Sequence, residues 1–505
     1  MPDLPPEPAG EELPALVAAL RASNARLREV VEARDAQLAA AGAALEAAEA
    51  RIAALSERVA EMERRLGKDS STSSRPPSSD SPYKKKPRDR SLRGRSGRKP
   101  GKQPGAESST LRQVADPDQI MVCAPAACGR CGADLAGAPV TGTQKLQEFE
   151  IAPPPPPRVT EYQVQGRACG RCGAVSAGQA PAWITGRAQY GPEAHARAAN
   201  LASAQHIPVG RAAQLMGDMT GLRVSAGWMA GVRHKAAGKL DPFMDHVRGL
   251  LRQAGVLYAD ETPARAAGHL EYVHVACTEF LTAMHTGGRS AADIDAGGIL
   301  DGYGGTIVRD GYAGYSHLTD ARHAWCGAHN LRDLRDLYTF DPAGQVWARS
   351  MADLLIHANA AATAARASGQ PQLSGEQLAQ ISAWYRGAVA KGITDNQHRR
   401  SQTARDGLRL ARRFRDHQDM ILRFATDLAV GFTSNQGERD VRPVIVQQRI
   451  SGGCWRTLDG LAEFAVVQSY LSTAAKWGIP KIDALRDLFN GTPWMPPGIE
   501  PALTG

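Results

Sequence analysis

The 505-residue chain has no unbroken apolar run of the roughly 18 residues that mark a membrane-spanning helix, so no span is expected. It also lacks the opening of a secretory leader. Met1-Pro2-Asp3-Leu4-Pro5-Pro6-Glu7 is acidic and proline-rich, with neither a basic start nor an apolar centre. Cysteine is scarce, eight in all, which excludes a disulfide-stapled scaffold. Four of these fall in two Cys-x-x-Cys pairs, a pattern that fits metal binding in a reducing cytoplasm. A large charge imbalance is missing too: 60 Lys and Arg stand against 52 Asp and Glu, a net +8. So small an excess identifies no polyanion-binding protein; only its clustering can. The length implies several domains with ample core.

What is present divides the chain into a multidomain α/β protein. Residues 11–67 read as one long helix. Val31, Leu38, Leu45, Ile52, Val59 and Leu66 recur every seven residues, while Leu13, Leu20 and Leu27 keep that period offset by four. That offset is a stutter in an N-terminal coiled coil, here a dimerisation helix. The alternative, a helix packed on its own protein, sits poorly with its polar remaining faces. Residues 68–111 are a linker too polar to fold alone. Between Lys84 and Lys102 it holds ten Lys or Arg and one acid. Lys84, Lys85, Lys86, Arg88, Arg98, Lys99 and Lys102 are expected to touch DNA phosphates without reading sequence; a merely solvated tether is the other reading.

Residues 112–185 carry Cys128-Gly-Arg-Cys131 and Cys169-Gly-Arg-Cys172. Two thiolates from each tight turn would close on one structural Zn²⁺, a zinc ribbon serving as a DNA-binding domain. Strands are expected between Val140 and Gln165, for example Thr160–Val164, with the Pro153–Pro157 run as an extended bridge. A redox dithiol is the weaker alternative, and Cys123 is a bystander. Residues 186–245 read as helical. Pro208 starts one helix, Gly221 ends it, and Ser225 opens a basic helix with Arg233 and Lys235. Such an arrangement suits a helix-turn-helix-like DNA reader, or equally a plain helical hairpin.

Residues 250–344 begin a compact α/β segment whose order resembles a ribonuclease-H-like (RNase H-like) core, and residues 427–490 complete it with a helix and C-terminal helices. Val256–Asp260 and Thr306–Asp310 are apolar runs that each end on an aspartate. Glu438 follows in Ser434-Asn-Gln-Gly-Glu-Arg-Asp-Val-Arg442 on an expected helix. Three carboxylates from two strands and a helix suit two hard divalent cations, Mg²⁺ or Mn²⁺, which clamp the attacking and leaving oxygens of a phosphodiester displacement. Asp260 is the expected bridging ligand; Glu261 should point to the opposite face. Singly, each acid has a blander reading: a turn residue, a helix cap, or, for Glu438, a salt-bridge partner of Arg442. Arg442 is also an expected DNA contact. Cys326 and His329 form a Cys-x-x-His pair whose role, metal ligation or structural packing, stays open. Residues 345–426 read as an all-helical insertion with arginines at 399, 400, 405, 409, 412, 413 and 415, some of them facing DNA.

In that order these pieces resemble transposases of the IS66 family, almost end to end. The resemblance rests on Ser73–Asp80, Gly97–Gly105, the paired Cys-x-x-Cys motifs, Ala259-Asp-Glu-Thr262, Val308-Arg-Asp-Gly-Tyr312, Cys326-x-x-His329 and Glu438-Arg-Asp-Val-Arg-Pro443. It implies a bacterial, cytoplasmic DDE-type transposase, an Mg-dependent polynucleotidyl transferase with Asp260, Asp310 and Glu438 as its triad. It further implies binding to terminal inverted repeats and target DNA, nicking at the element end, strand transfer by the freed 3′-hydroxyl and a DNA-dependent multimer; the coiled coil makes the protein a homo-oligomer, and whether accessory proteins encoded by the element take part stays open. The Trp325-Cys-Gly-Ala-His-Asn330 stretch departs from the commoner family form. A non-catalytic DNA-binding regulator or inactive relic is the competing reading.

Overall fold

The computed structural model describes residues 12–67 and 111–498. Almost all of the basic linker, with Lys84, Lys85, Lys86, Arg88, Arg98, Lys99 and Lys102, lies outside the described residues.

Helix α1 (Glu12–Gly67) is 56 residues long, about 84 Å at ~1.5 Å per residue. Its apolar seam is open: Leu20, Leu38 and Ile52 are 56, 70 and 64% exposed. Among the described residues nothing covers that seam.

The next segment corrects an expectation. Val140–Gln165 contains no strand, Thr160–Val164 included. Alternating apolar residues form a strand only against a surface that buries one face, and here Val140, Ile151 and Val159 are all more than four-fifths exposed. Glutamine side chains substitute for a ladder: Gln147 accepts from the Val114 amide at 2.8 Å and donates back to its carbonyl. The strands that do form, β1 (Gly166–Ala168) and β2 (Val175–Ala177), flank the second cysteine pair and are antiparallel.

Four helices follow: α2 (Pro192–Ala199), continued by one π turn at Asn200–Ala204, then α3 (Val209–Thr220), α4 (Ala226–Ala237) and α5 (Asp241–Gln253). Their ends sit where the sequence puts them. Pro208 precedes α3, Gly221 closes it in the left-handed conformation, and the Ser225 side chain caps α4 at the Trp228 amide.

The sheet comprises β3 (Val256–Ala266), β4 (His269–Cys277), β5 (Thr282–Gly287), β6 (Thr306–Arg309) and β7 (Arg322–Trp325), with a single turn, α6 (Ala291–Asp295), before β6. Its spatial order is β5-β4-β3-β6-β7. The β3–β4 and β4–β5 pairs are antiparallel, and the β3–β6 and β6–β7 pairs parallel. Helix α7 (Gly327–Phe340) leads into the expected helical insertion: α8 (Val346–Ala367), α9 (Gly375–Asn396), α10 (Gln402–Asp416) and the short α11 (Gln418–Ile421) and α12 (Arg423–Thr426). The chain then returns to the sheet as α13 (Asn435–Ile450), α14 (Leu458–Lys476) and α15 (Lys481–Asn490).

Strand alternation divides the core. Leu257, Ala259 and Ile307 face one apolar cluster with α2–α5, α14 and α15. Val308 and Ala324 face another, built from the insertion helices. Val273, Val275 and Met284 pack against Val441, Val444 and Phe464. Helix α13 is thus seated on the antiparallel half of the sheet.

Candidate active site

Asp260 lies within β3, not at its end as the sequence reading had it. Beyond Tyr258 the strand is no longer paired with β6 and continues beside β4 alone through Pro263, until Trp455 bridges its other edge at Ala266. The parallel register pairs Tyr258 with Val308. Continued by two residues, it sets Asp310 level with Asp260, just past the last residue of β6. One Asp260 oxygen accepts from the Glu261 amide at 2.9 Å, and one Asp310 oxygen from the Tyr312 amide at 2.9 Å.

Glu438 comes from the first turn of α13. That turn crosses β3 so closely that a Cβ on Gly437 would stand 3.2 Å from the Asp260 Cβ. The capping-box alternative is not realised, because α13 starts with no side-chain cap bond. Nor does Glu438 pair with Arg442, which is exposed. Its neighbours are Arg332 at 3.7 Å and His329 at 3.9 Å, both on α7.

Burial raises the Asp260 carboxyl well above the ordinary range, Glu261 adds to the rise, and Asp310 and Glu438 push the same way while His329 opposes them. The three acids therefore share one electrostatic neighbourhood. They do not close on a common point: among the described residues no three His, Cys, Asp or Glu side chains group tightly enough to hold a metal. Glu261 points away from this group, as strand alternation requires. Its side chain, 4% exposed, takes Arg289 and the Tyr315 hydroxyl.

Cys326 and His329 form a joint beside the acids. The Cys326 amide bonds the Arg309 carbonyl at 2.7 Å and its Sγ accepts from the Ser434 amide at 3.2 Å. The pair thereby ties the end of β6 and the start of α7 to the start of α13. Burial alone would raise the thiol and lower the imidazole; their mutual contact reverses both, bringing the Cys326 thiol down and His329 up. The sequence reading missed Arg332, which follows His329 by one helical turn, and also Asp440 and Lys476. The i, i+3 spacing of His329 and Arg332 was the available signal for the first.

Away from the sheet, the two cysteine turns share one construction. In each, the first cysteine carbonyl accepts from a positive-φ glycine, Gly132 or Gly173, and its amide donates one residue further on. Backbone amides within the turns lower the Cys128 and Cys169 thiols. Each turn presents two sulfurs, Cys128 with Cys131 and Cys169 with Cys172, but the two pairs are not brought together.

Arg233 requires a correction. Its guanidinium lies over Trp455 and Phe464, 5.4 and 5.2 Å from the ring centroids, and donates to Ser203 and the Ala202 carbonyl. It is a packing residue, turned inward because its helix, α4, lies against α14. Lys235 is exposed. In the insertion, Arg399, Arg409, Arg413 and Arg415 pair with Asp341, Asp406, Asp333 and Asp416, so most of that stripe already has carboxylate partners. No described helix is long and apolar enough to cross a membrane.

A sheet with acids gathered at its centre, helices on its flanks and a helical insertion between the second and third acid is the part of the chain that matches a known class, the transposases. The sequence model of the Transposase IS66 family matches residues 187–462, more than half of the chain and all three acids. The chain belongs to that family. Residues 4–112 match a second family, one of unknown function. No curated protein matches the chain.

Proposed function

We propose that this protein is a DDE-type transposase that binds the terminal inverted repeats of a bacterial insertion sequence and cleaves and rejoins DNA through Asp260, Asp310 and Glu438. The observation carrying this reading is the neighbourhood of Asp260. Acids that stand fifty residues downstream and beyond a whole helical insertion both raise its proton affinity. Negative charge assembled from three distant segments, only partly offset by His329 and Arg332, calls for a cation. The sheet order, three antiparallel strands followed by two parallel ones, supports an RNase H-like core.

The donor set, three carboxylates, fits Mg²⁺ or Mn²⁺. Such ions, when bound, stabilise the attacking and leaving oxygens of an in-line displacement. Asp260, level with Asp310 and under Glu438, is the central ligand. In the first displacement a water oxygen bonds to phosphorus as the 3′ oxygen leaves, giving a 3′-hydroxyl and a 5′-phosphate. In the second, that 3′-hydroxyl oxygen bonds to a phosphorus of the target strand as the target's own 3′ oxygen leaves, taking up the proton the hydroxyl gives up. Arg332 and His329 hold Glu438 on the insertion side, and the exposed Lys235 and Arg442 offer charge to the DNA backbone. One Zn²⁺ held by Cys128, Cys131, Cys169 and Cys172 would fold the intervening segment into a DNA-binding unit, with α1 pairing two chains.

The test is end nicking and strand transfer on labelled inverted-repeat DNA with Mg²⁺ or Mn²⁺. Asp310→Asn is expected to lower both by at least about a thousandfold, the several kcal/mol a metal ligand supplies, while end binding persists. A second reading, a non-catalytic DNA-binding regulator, is favoured by the open spacing of the acids. Specific binding without products in the wild type, even with the element's accessory proteins added, would select it.

A further inference from the structure

The most deeply buried ion pair in the catalytic half lies directly beneath the Glu438 turn. Asp440, two residues on, points to the opposite side of α13. Its carboxylate accepts from Lys476 Nζ at 2.7 Å, Thr282 Oγ1 at 3.1 Å, Ser472 Oγ at 3.1 Å and Gln436 Nε2 at 3.2 Å. The two side chains are only 7% and 10% exposed. Lys476 is satisfied in turn: its three N–H bonds are shared among Asp440, the Thr278 and Leu281 carbonyls at 2.8 and 2.9 Å, and Thr282 Oγ1 at 2.7 Å. Apart from Gln436, one turn back on α13, these partners sit on β5, its entry loop or α14. The network therefore fastens the second turn of α13, just behind the turn that carries Glu438, to the edge of the sheet and to the last turn of α14.

A buried charge pair is a poor way to gain stability, since apolar residues of similar volume would do as well or better. Its particular product is a fixed position, and what it fixes here is the turn presenting Glu438. The other restraints on that turn are the Ser434 amide bond to Cys326 Sγ and the long contacts of Glu438 to Arg332 and His329, and α13 opens without a side-chain cap. We propose that Asp440 and Lys476 are positioning residues that set Glu438 toward Asp260 and Asp310 for divalent-cation binding. The inference rests on the reading of those three acids as the metal site.

The experiment is Mn²⁺ binding to the full chain, zinc-loaded and without DNA, followed by electron paramagnetic resonance. It compares wild type, Asp260→Asn, Asp440→Asn, and the double variant Asp440→Asn with Lys476→Met, each checked for folding by circular dichroism and thermal melting. Wild type should bind Mn²⁺ at a site lost in Asp260→Asn. Asp440→Asn should bind it roughly 10–100-fold more weakly, the usual range for groups that orient a ligand. The double variant leaves no buried unpaired charge, so its melting temperature should recover while its Mn²⁺ affinity stays low. Recovery of affinity together with stability would reduce the pair to a structural role and overturn the proposal, as would an Asp440→Asn protein that binds Mn²⁺ normally. If wild type and Asp260→Asn bind alike, the metal site itself is wrongly placed, and the proposal falls with it.

Discussion

At the scale of single residues, the carboxyl of Asp260 links chemistry to stability. Its proton affinity in the folded protein is raised, by burial first and by Glu261, Asp310 and Glu438 after it. A group shifted this way stabilises the fold fully below its ordinary value of 3.8 and loses that contribution as pH rises through the raised value. Metal-free protein should therefore melt at a lower temperature at pH 8 than at pH 5. Asp260→Asn should melt higher than wild type at pH 8, with the gain shrinking toward pH 4, and Mg²⁺ should raise the wild-type melting temperature but not the variant's. Calorimetry across that range decides it; a variant no more stable than wild type at pH 8 would contradict the assignment of excess negative charge around Asp260. Arg233 and Lys235 make a second comparison, two residues apart on α4. Arg233→Ala should cost about 2 kcal/mol of stability, from lost cation–π packing and buried hydrogen bonds, with DNA-end affinity of the folded protein unchanged. Lys235→Ala should leave the melting temperature alone and weaken DNA binding at low salt, with a smaller dependence on salt. The reverse pattern in a filter-binding titration would restore Arg233 as a DNA contact.

At the scale of elements, much was legible in the sequence. The strand leading to Asp260, the one ending before Asp310, the helix carrying Glu438 and the caps of α3 and α4 follow from apolar runs and from Pro208, Gly221 and Ser225. Other elements were hidden for physical reasons. Pro263 reads as a strand break, yet β3 passes through it because β6 has ended and only β4 flanks it there. The β7 strand, Arg322–Trp325, is too short to show a period and was absorbed into the cysteine-histidine motif. In Val140–Gln165 the period is present and the strand is not, since no second surface covers it. The Asp440–Lys476 pair joins residues 36 apart in sequence, and no local spacing announces such a contact. Helix α1 gives the prediction proper to this scale. With its seam exposed, it should pair with a second copy, and removing residues 1–67 should convert the protein to monomers in analytical ultracentrifugation. Persistence of the dimer after that deletion would place the interface elsewhere.

At the scale of the whole molecule, the proposed function puts recognition and chemistry in separate parts of the chain, and they should then fail separately. Stripping zinc should lower specific DNA-end affinity at least tenfold and leave Mn²⁺ binding at the acids intact, because Cys128, Cys131, Cys169 and Cys172 lie outside the sheet and its packed helices. Metal analysis should find one zinc per chain, lost from Cys128→Ser. A chelated protein that binds its ends normally would remove zinc from the recognition function.

The helical insertion also sets a clock. At roughly 5–20 residues per second, Glu438 leaves the ribosome some ~10–35 s after Asp260, because everything from β4 to α12 is made in between, and the helices α7 to α12 account for more than half of that delay. During that interval the nascent chain already carries the long N-terminal helix, the basic stretch and both cysteine turns, but an incomplete acid set. A chain ended prematurely inside the insertion would keep the same inventory for good. It would occupy DNA ends and pair with full-length copies while cutting nothing, so truncated products of this gene should act as dominant inhibitors of the intact protein.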